Sequence, residues 1–229
     1  MQYIQIKEAI AEQINSGMLS PRQKLPAERQ LAQSFATTRV TLREALTLLE
    51  AEGIIYREDR RGWFISPSPF IYKPNQGISF TQSAKNQHRK PQIKVIKAQN
   101  VLANKQATQL LSLPPFSNIY WVDRLYLLDD APVAYVRHYI LPQQLDTLIK
   151  QDLTCCLLEL YQKNYGIQYQ RATHRIYVRS VDSEIAEALR VTTGASSIVV
   201  EKQHYRENQT VIDCSLEYWR HNAISIEIT

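Results

Sequence analysis

The stretch Leu25-Pro-Ala-Glu-Arg29-Gln-Leu-Ala-Gln-Ser-Phe-Ala-Thr37-Thr38-Arg39-Val40-Thr41-Leu42-Arg43-Glu44 decides the fold of the N-terminal third of this chain. It reads as two short helices separated by a tight turn. Pro26 pre-sets φ for a first helical turn, Leu31 and Phe35 repeat at i, i+4 on one face, and Thr37 or Thr38 caps a second helix. On that second helix Leu42, Leu46 and Leu49 form an apolar stripe, which leaves Arg39, Thr41 and Arg43 on the other side of its first turns. Such a face is the one a recognition helix turns toward DNA.

The flanking segments complete a small domain. Gly53-Ile-Ile-Tyr-Arg57 and Trp63-Phe-Ile65 are β-prone runs on either side of Glu58-Asp59-Arg60-Arg61-Gly62, and the spacing predicts a hairpin with a basic tip. Ile6, Ile10 and Ile14 fall at i, i+4, i+8 and predict a helix from about Ile4 to Ile14 that closes the core from the other side. Residues 1–67 are therefore expected to form a winged helix-turn-helix domain.

Three spaced motifs, Leu25-Pro-Ala-Glu-Arg29, Thr38-Arg39-Val40-Thr41-Leu42-Arg43 and Arg61-Gly62-Trp63-Phe64, together resemble the GntR family of bacterial regulators. The resemblance implies DNA contacts from Arg29, Thr38, Arg39, Thr41 and Arg43, with Arg61 and Gly62 in the wing. Val40 stands where many relatives carry a hydroxyl residue. The chemistry agrees independently. Arginines fork onto guanine O6 and N7 or grip phosphates, threonine hydroxyls and helix N-terminal amides hold phosphate oxygens, and an arginine at a wing tip suits a narrow minor groove. The bland reading of any one of these arginines is a solvated helix face.

Length and composition bound the rest. A chain of 229 residues with 44% hydrophobic content suits two domains, each with its own core. No apolar run approaches the ~20 residues of a membrane span, and the N-terminus lacks a charged-then-apolar leader pattern, so a soluble cytoplasmic protein is expected. Cys155, Cys156 and Cys214 have no metal-ligand spacing and form no even disulfide framework, and small buried or half-buried thiols in a reducing compartment are their reading. The net charge of +5 is uneven: residues 60–122 hold nine Lys and Arg (Arg60, Arg61, Lys73, Lys85, Arg89, Lys90, Lys94, Lys97, Lys105) and no Asp or Glu. That run either adds sequence-independent phosphate attraction, lies against an anionic ligand, or is an ordinary solvated face. It passes through Ser66-Pro-Ser-Pro69, and residues 68–77 are taken as a linker.

The C-terminal region carries an internal repeat. Moving Leu111-Ser-Leu113 through Val133-Ala-Tyr-Val136 forward by 78 residues lays it on Leu189-Arg-Val191 through Val211-Ile-Asp-Cys214. Asp123-Arg124 lands on Glu201-Lys202, and the turn Leu128-Asp129-Asp130 lands on Arg206-Glu207-Asn208. A helical stretch precedes each copy (Asn104 to Leu111, Asp182 to Leu189), and before those Ile93 to Ala98 and Arg175 to Arg179 read as strands. Each copy is thus strand, helix, hairpin. The two copies are expected to share one mostly antiparallel sheet with helices on one side, and Gln143 to Gln151 and Leu157 to Tyr165 read as two further helices between them. The fold class is α+β.

This region, residues 78–229, is similar to the UTRA effector domain of the HutC branch of GntR regulators, which shares its fold with chorismate lyase. The landmarks are the Arg124 strand, Ala131-Pro132, Leu141-Pro142, Tyr165-Gly166 and Leu216-Glu217-Tyr218-Trp219-Arg220. Cys156 occupies a Ser-like helix-start position, and Val136 stands where the family often carries Glu. The resemblance implies a small-molecule pocket between sheet and helices. Arg124, Arg137, Arg171, Arg175 and Arg179 lie on strands or their approaches, and arginine paired with helix N-terminal amides near Cys156 suits a phosphate, phosphonate or carboxylate. Glu217 would pair with an ammonium on the same ligand, and Tyr126, Tyr218 or Tyr135 would supply a cation-π wall. A solvent-facing partner for an opposing acid is the commoner role of any one strand arginine.

A narrower likeness runs through Thr37-Thr-Arg-Val-Thr-Leu-Arg-Glu44, Asp59-Arg-Arg-Gly-Trp-Phe64 and Glu217-Tyr-Trp-Arg-His221, which look like regulators of 2-aminoethylphosphonate utilisation. What the resemblance implies is a homodimer on double-stranded operator DNA. Its affinity would change when an anionic or zwitterionic effector fills the C-terminal pocket, with coupling through Ser66 to Lys73. A sugar phosphate or amino-acid catabolite is the alternative effector. An enzyme is the opposing class. Against it, the sequence shows no Ser/His/Asp arrangement, no glycine-rich phosphate loop and no metal-ligand spacing among His88, His138, His174, His204 and His221, and no cofactor is expected.

Overall fold

The computed structural model describes residues 1–143, 145–207 and 210–228. The chain divides into two compact units. Met1–Phe70 form the first together with Arg190–Thr192 and His221–Ser225, and most of the remaining chain forms the second.

In the first unit α1 (Gln2–Asn15), α2 (Glu28–Ser34) and α3 (Arg39–Ala51) precede a hairpin of β1 (Ile55–Glu58) and β2 (Gly62–Ile65). Ile6, Ile10, Leu31, Leu42, Leu46, Leu49, Ile55 and Trp63 meet in one buried cluster, so the stripes at helical spacing face each other. Thr38 is the N-cap of α3: its Oγ1 accepts the Thr41 N–H at 3.2 Å, whereas Thr37 donates its own N–H to the Ala32 carbonyl. Pro26 does not sit in the first turn of α2. The helix begins two residues later, where the Gln30 carboxamide can reach back to the Ala27 N–H at 3.3 Å. The wing pairs Glu58 with Gly62 across Asp59-Arg60-Arg61, and both Arg60 (φ 58) and Gly62 (φ 100) are left-handed. Glycine at position 62 removes the Cβ penalty there. Gln23 and Leu25 add a short third edge through Ile65 N–H to Gln23 O and Leu25 N–H to Trp63 O.

The residues taken as a linker carry structure of their own, β3 (Phe70–Tyr72) and a 3-10 turn at Pro74–Gln76, because β3 finds a hydrogen-bonding partner in β10 (Ile224–Ile226). Next comes α4 (Phe80–Asn86), a helix with no strong apolar period, capped by the Ser79 hydroxyl accepting from Gln82 N–H.

The second unit is built on β4 (Pro91–Leu102), β5 (Asn118–Leu128), β6 (Ala131–Ile140), β7 (Arg171–Ser180), β8 (Ser196–Tyr205) and β9 (Val211–Arg220). They form one sheet in the order β4-β5-β6-β9-β8-β7, with every neighbouring pair antiparallel. The repeat is visible in this order: β4-β5-β6 and β7-β8-β9 are two three-stranded copies joined through their last strands. Between the strands lie α5 (Lys105–Leu111) and α7 (Ser183–Leu189), 78 residues apart at both ends, with Asn104 and Asp182 accepting at their N-termini. α6 (Leu157–Tyr165) stops at Gly166 (φ 65).

Two expectations are corrected. The helices lie on both faces of the sheet: α7 packs on β6 and α5 on β9, while α4 and α6 meet the opposite face. Both faces carry buried apolar side chains, so both need cover. Among its described residues, Gln143 to Gln151 holds a 3-10 turn at Leu148–Lys150 and no α-helix, and Thr147 enters that turn left-handed (φ 65), which interrupts helical geometry. Gln144 of that segment, and Asn208 of the second hairpin turn, lie outside the described residues.

The first hairpin turns through Asp129 and Asp130 at φ 52 and 69, the paired left-handed geometry of a type I′ turn. Its register then slips: Leu127 faces Pro132 but Tyr126 faces Ala134, so Val133 is a β-bulge. An uninterrupted two-residue hairpin would set Arg137 opposite Val122. The bulge sets it opposite Asp123 and moves its side chain to the other face.

Candidate functional site

On the first unit the expected DNA-contacting residues come from α2, from the start of α3 and from the wing. Arg29 on α2, and Arg39 and Arg43 one turn apart on α3, are exposed, and Val40 is 69% exposed beside them. The Thr38 and Thr41 hydroxyls lie 3.0 Å apart at the start of α3. Arg43 is not a bare solvated side chain. Its Nε donates to Glu28 Oε2 at 2.7 Å, and Glu28 Oε1 accepts from Trp63 Nε1 at 3.1 Å. Burial works against the Glu28 charge, but the bonds from Trp63 and Arg43 outweigh it and hold the carboxyl below the usual carboxylate range. In the wing, Arg61 pairs with the buried carboxylate of Glu58 and lies 5.5 Å over the Phe64 ring. Arg60, at the tip, has a side chain 92% exposed. The sequence marks this tip as basic; which arginine projects is set by the left-handed φ at Arg60.

On the sheet of the second unit, cross-strand pairing sorts the expected ligand residues by face. Arg124 faces Val136, which faces Glu217, and Tyr126 is two residues along from Arg124. These share one face, and the segment before α6 joins them because Arg124 Nη1 donates to the carbonyls of Leu153 (3.2 Å) and Cys155 (2.8 Å), next to Cys156. Arg137, Tyr218 and Arg175 lie on the other face. Arg137 pairs with buried Asp123 (3.0 Å) and with Glu184 of α7 (3.1 Å). Tyr218 is aligned with Tyr135, which donates to the same Asp123, and Arg175 is exposed and stacks on Tyr177. The structure therefore brings together Arg124, Tyr126, Cys156 and Glu217 and separates them from Arg137, Arg175 and Tyr218.

The chemistry of the Arg124 face is dense. Arg124 also donates from Nη2 to the Tyr126 hydroxyl at 2.8 Å, and from Nε and Nη2 to His138 Nε2 at 3.1 and 2.9 Å. All three guanidinium nitrogens thus meet protein partners. Accepting through Nε2 places the His138 proton on Nδ1, which is buried with no hydrogen-bond partner among the described residues. Burial, then the charges of Arg124, His204 and Lys202, push His138 well below its ordinary value, so the ring is neutral. Glu217 does not wait for a ligand ammonium: Lys202 Nζ lies 2.5 Å from its Oε1, and Trp219 Nε1 donates to Oε2 at 2.9 Å. Lys202 also sits 4.8 Å over the Tyr72 ring. Burial opposes the Lys202 charge, and Glu217 and Tyr72 outweigh it, raising the ammonium above its ordinary range; Tyr72 is pushed up to about 12, chiefly by burial. Phe80 of α4 stacks on Tyr126 at 4.5 Å and tilts against Trp219 at 6.1 Å, covering this face.

The repeat explains the arrangement. Arg124 and Lys202 are 78 residues apart on β5 and β8, and each reaches diagonally to an acceptor on the next strand, Arg124 to His138 and Lys202 to Glu217. Lys202, His138, Tyr72 and Phe80 are absent from the sequence-derived set. The repeat was the available signal for Lys202, since it aligns with Arg124; nothing in the local sequence points to Phe80.

Burial pushes the thiols of Cys155, Cys156 and Cys214 up, and all three are unbridged, so none is an activated nucleophile. The basic run is partly absorbed internally: Lys73 pairs with Glu227, Arg89 with Asp129, and Lys97 lies over Trp121. Among the described residues no group of His, Cys, Asp and Glu could hold a metal ion, and no helix is long and apolar enough to cross a membrane.

Comparison with known proteins gives matches to two family models, the UTRA domain over residues 86–225 and the bacterial regulatory proteins of the gntR family over residues 2–65. The chain is 28% identical over 225 residues to the uncharacterized HTH-type transcriptional regulator YihL of Escherichia coli K12, covering 97% of this chain and 94% of the relative. It is 28% identical over 219 residues to the HTH-type transcriptional repressor NagR of Bacillus subtilis, covering 95% and 90%. Among solved structures, PhnF from Mycobacterium smegmatis superposes with a TM-score of 0.67 over 98% of both chains at 18% identity, which is a likeness of fold.

Proposed function

We propose, from the premise that this chain belongs to the UTRA domain family and is a GntR-type transcriptional regulator rather than an enzyme, that an anionic effector bound on the Arg124 face tunes its affinity for operator DNA. The observation that carries the effector site is the paired arrangement Arg124–His138 and Lys202–Glu217 beneath the α4 cover. It sets two cations against one carboxylate and a neutral imidazole on a buried face. A site with that balance favours an anion. The DNA-reading residues are Arg29, Thr38, Arg39, Thr41, Arg43, Arg61 and Gly62, and the protein acts as a cytoplasmic homodimer on a pseudo-palindromic duplex. Effector and DNA then act on one conformational equilibrium, so each changes the affinity of the other by the same factor.

The proposed effector is 2-aminoethylphosphonate or a related phosphonate, a reading that rests on the likeness of the three motifs quoted above. One observation favours the alternative of a sugar phosphate or other simple anion: Glu217 is already neutralised by Lys202, so a ligand ammonium would have to displace that internal one. Calorimetric titration of the full chain with 2-aminoethylphosphonate, ethylphosphonate, inorganic phosphate and a sugar phosphate at one ionic strength separates these. Binding confined to the aminophosphonate supports the zwitterion. Equal binding of ethylphosphonate removes the role of Glu217, and binding of the sugar phosphate alone replaces the ligand.

A further inference from the structure

We infer that Glu28, which belongs to none of the DNA-contacting positions named above, is the positioning residue that sets how Arg43 presents its guanidinium to a base pair. This rests on the reading of Arg43 as a base contact. The Glu28 carboxylate is the meeting point of three elements of the reading head. It stands at the first position of α2, accepts from Arg43 Nε on α3, and accepts from Trp63 Nε1 on β2 of the wing. Both oxygens are used, one for each partner. The Glu28 side chain is 23% exposed, so its charge is partly shielded from water, whereas that of Arg43 is 64% exposed beyond the pair. Arg57 adds to the same cluster, lying 5.8 Å over the Trp63 ring and bearing on the Glu28 charge.

The geometry restricts Arg43 in a definite way. A guanidinium can approach guanine O6 and N7 either through its Nε–Nη edge or end-on through Nη1 and Nη2. With Nε committed to Glu28, the end-on fork is the one left for DNA. Holding that fork also removes side-chain freedom in advance of binding, which is the general route by which preorganisation raises affinity for the right partner. Lysine at position 43 could not do both tasks, having one point charge and no fork. The wing is tied to the same carboxylate through Trp63, so base reading by α3 and the setting of β2 are linked through one side chain.

The test uses full-length protein and a duplex selected from random DNA by the wild type, with every single-base-pair variant of that duplex. Glu28→Gln keeps the size of the side chain and one acceptor oxygen but removes the charge. At the base pair where Arg43→Ala loses discrimination, Glu28→Gln is expected to reduce discrimination at least fivefold. Its affinity for random DNA and its salt dependence should stay within twofold of wild type. Glu28→Gln combined with Arg43→Ala should be no worse than Arg43→Ala alone. Trp63→Phe, which frees one carboxylate oxygen but leaves the charge, should lose less discrimination at that pair than Glu28→Gln. Wild-type discrimination in Glu28→Gln, with Arg43→Ala still defective, overturns the positioning role and leaves Arg43 as the base reader. Equal loss for Glu28→Gln on all sequences also overturns it, marking a merely structural carboxylate. Undiminished discrimination in Arg43→Ala removes the premise itself.

Discussion

Arg124 and Arg137 are two arginines on adjacent strands with opposite fates, and the difference can be measured. Arg137 is the partner of Asp123 in a buried pair, so Arg137→Ala leaves an uncompensated carboxylate and is expected to destabilise the second unit by about 3–5 kcal/mol in urea unfolding. Ligand binding in the surviving folded fraction should be unchanged; a selective loss of ligand binding without destabilisation would return Arg137 to the site. Arg43→Ala is expected to weaken operator binding by about 1–3 kcal/mol with relaxed specificity at one base pair, read by fluorescence anisotropy. Equal weakening on random DNA would make it a phosphate contact. His138 supplies a pH signature. Its folded value is depressed by burial and by Arg124, His204 and Lys202, so the unfolded chain takes up a proton first as pH falls through about 6.5. The His138 contribution is therefore complete above that pH and is lost progressively below it, by at most about 1.4 kcal/mol per pH unit. Comparing urea midpoints at pH 7.5 and 5.5, His138→Gln should show a smaller acid loss than wild type, and an identical loss would mean that His138 is not held neutral.

At the scale of elements, caps and turns account for where helices and hairpins begin. Thr38→Ala removes the side-chain acceptor for Thr41 N–H and is expected to lower the stability of the first unit by about 1 kcal/mol, seen as a shift in its thermal midpoint. No shift would mean that the cap is replaced by water. The two stripes Ile6-Ile10 and Leu42-Leu46-Leu49 were legible because periodicity alone decides which face is buried. The 78-residue repeat was legible for the same reason: α5 and α7 fall where the offset puts them. The α4 helix was not legible, being short and polar apart from Phe80 and Ala84, and its place is set by stacking on Tyr126. Nor was the face of Arg137. Alternation along β6 is a local rule, but its phase relative to β5 depends on the bulge at Val133, and an extra residue of that kind has no sequence signature here.

At the scale of the whole molecule, each unit carries a compact charged cluster where its function is proposed to lie. Glu28, Arg43 and Trp63 meet at the reading head, and Arg124, His138, Lys202 and Glu217 meet on the sheet. The sequence identified one or two members of each, always the arginines and the glutamate that family motifs mark. On the sheet the partners escaped notice because they come from other strands: His138 lies on β6 and Lys202 on β8. Anion sensing on the Arg124 face is tested by the affinity of the full chain for its selected operator duplex, by fluorescence anisotropy, with and without each of the four candidate anions, for wild type and Arg124→Ala. One anion is expected to change wild-type affinity by about 5-fold to 150-fold, the usual span of allosteric coupling. Arg124→Ala should bind the duplex normally and fail to respond. A full response in Arg124→Ala, or no response of the wild type to any of the four, would contradict an anion-sensing site on that face.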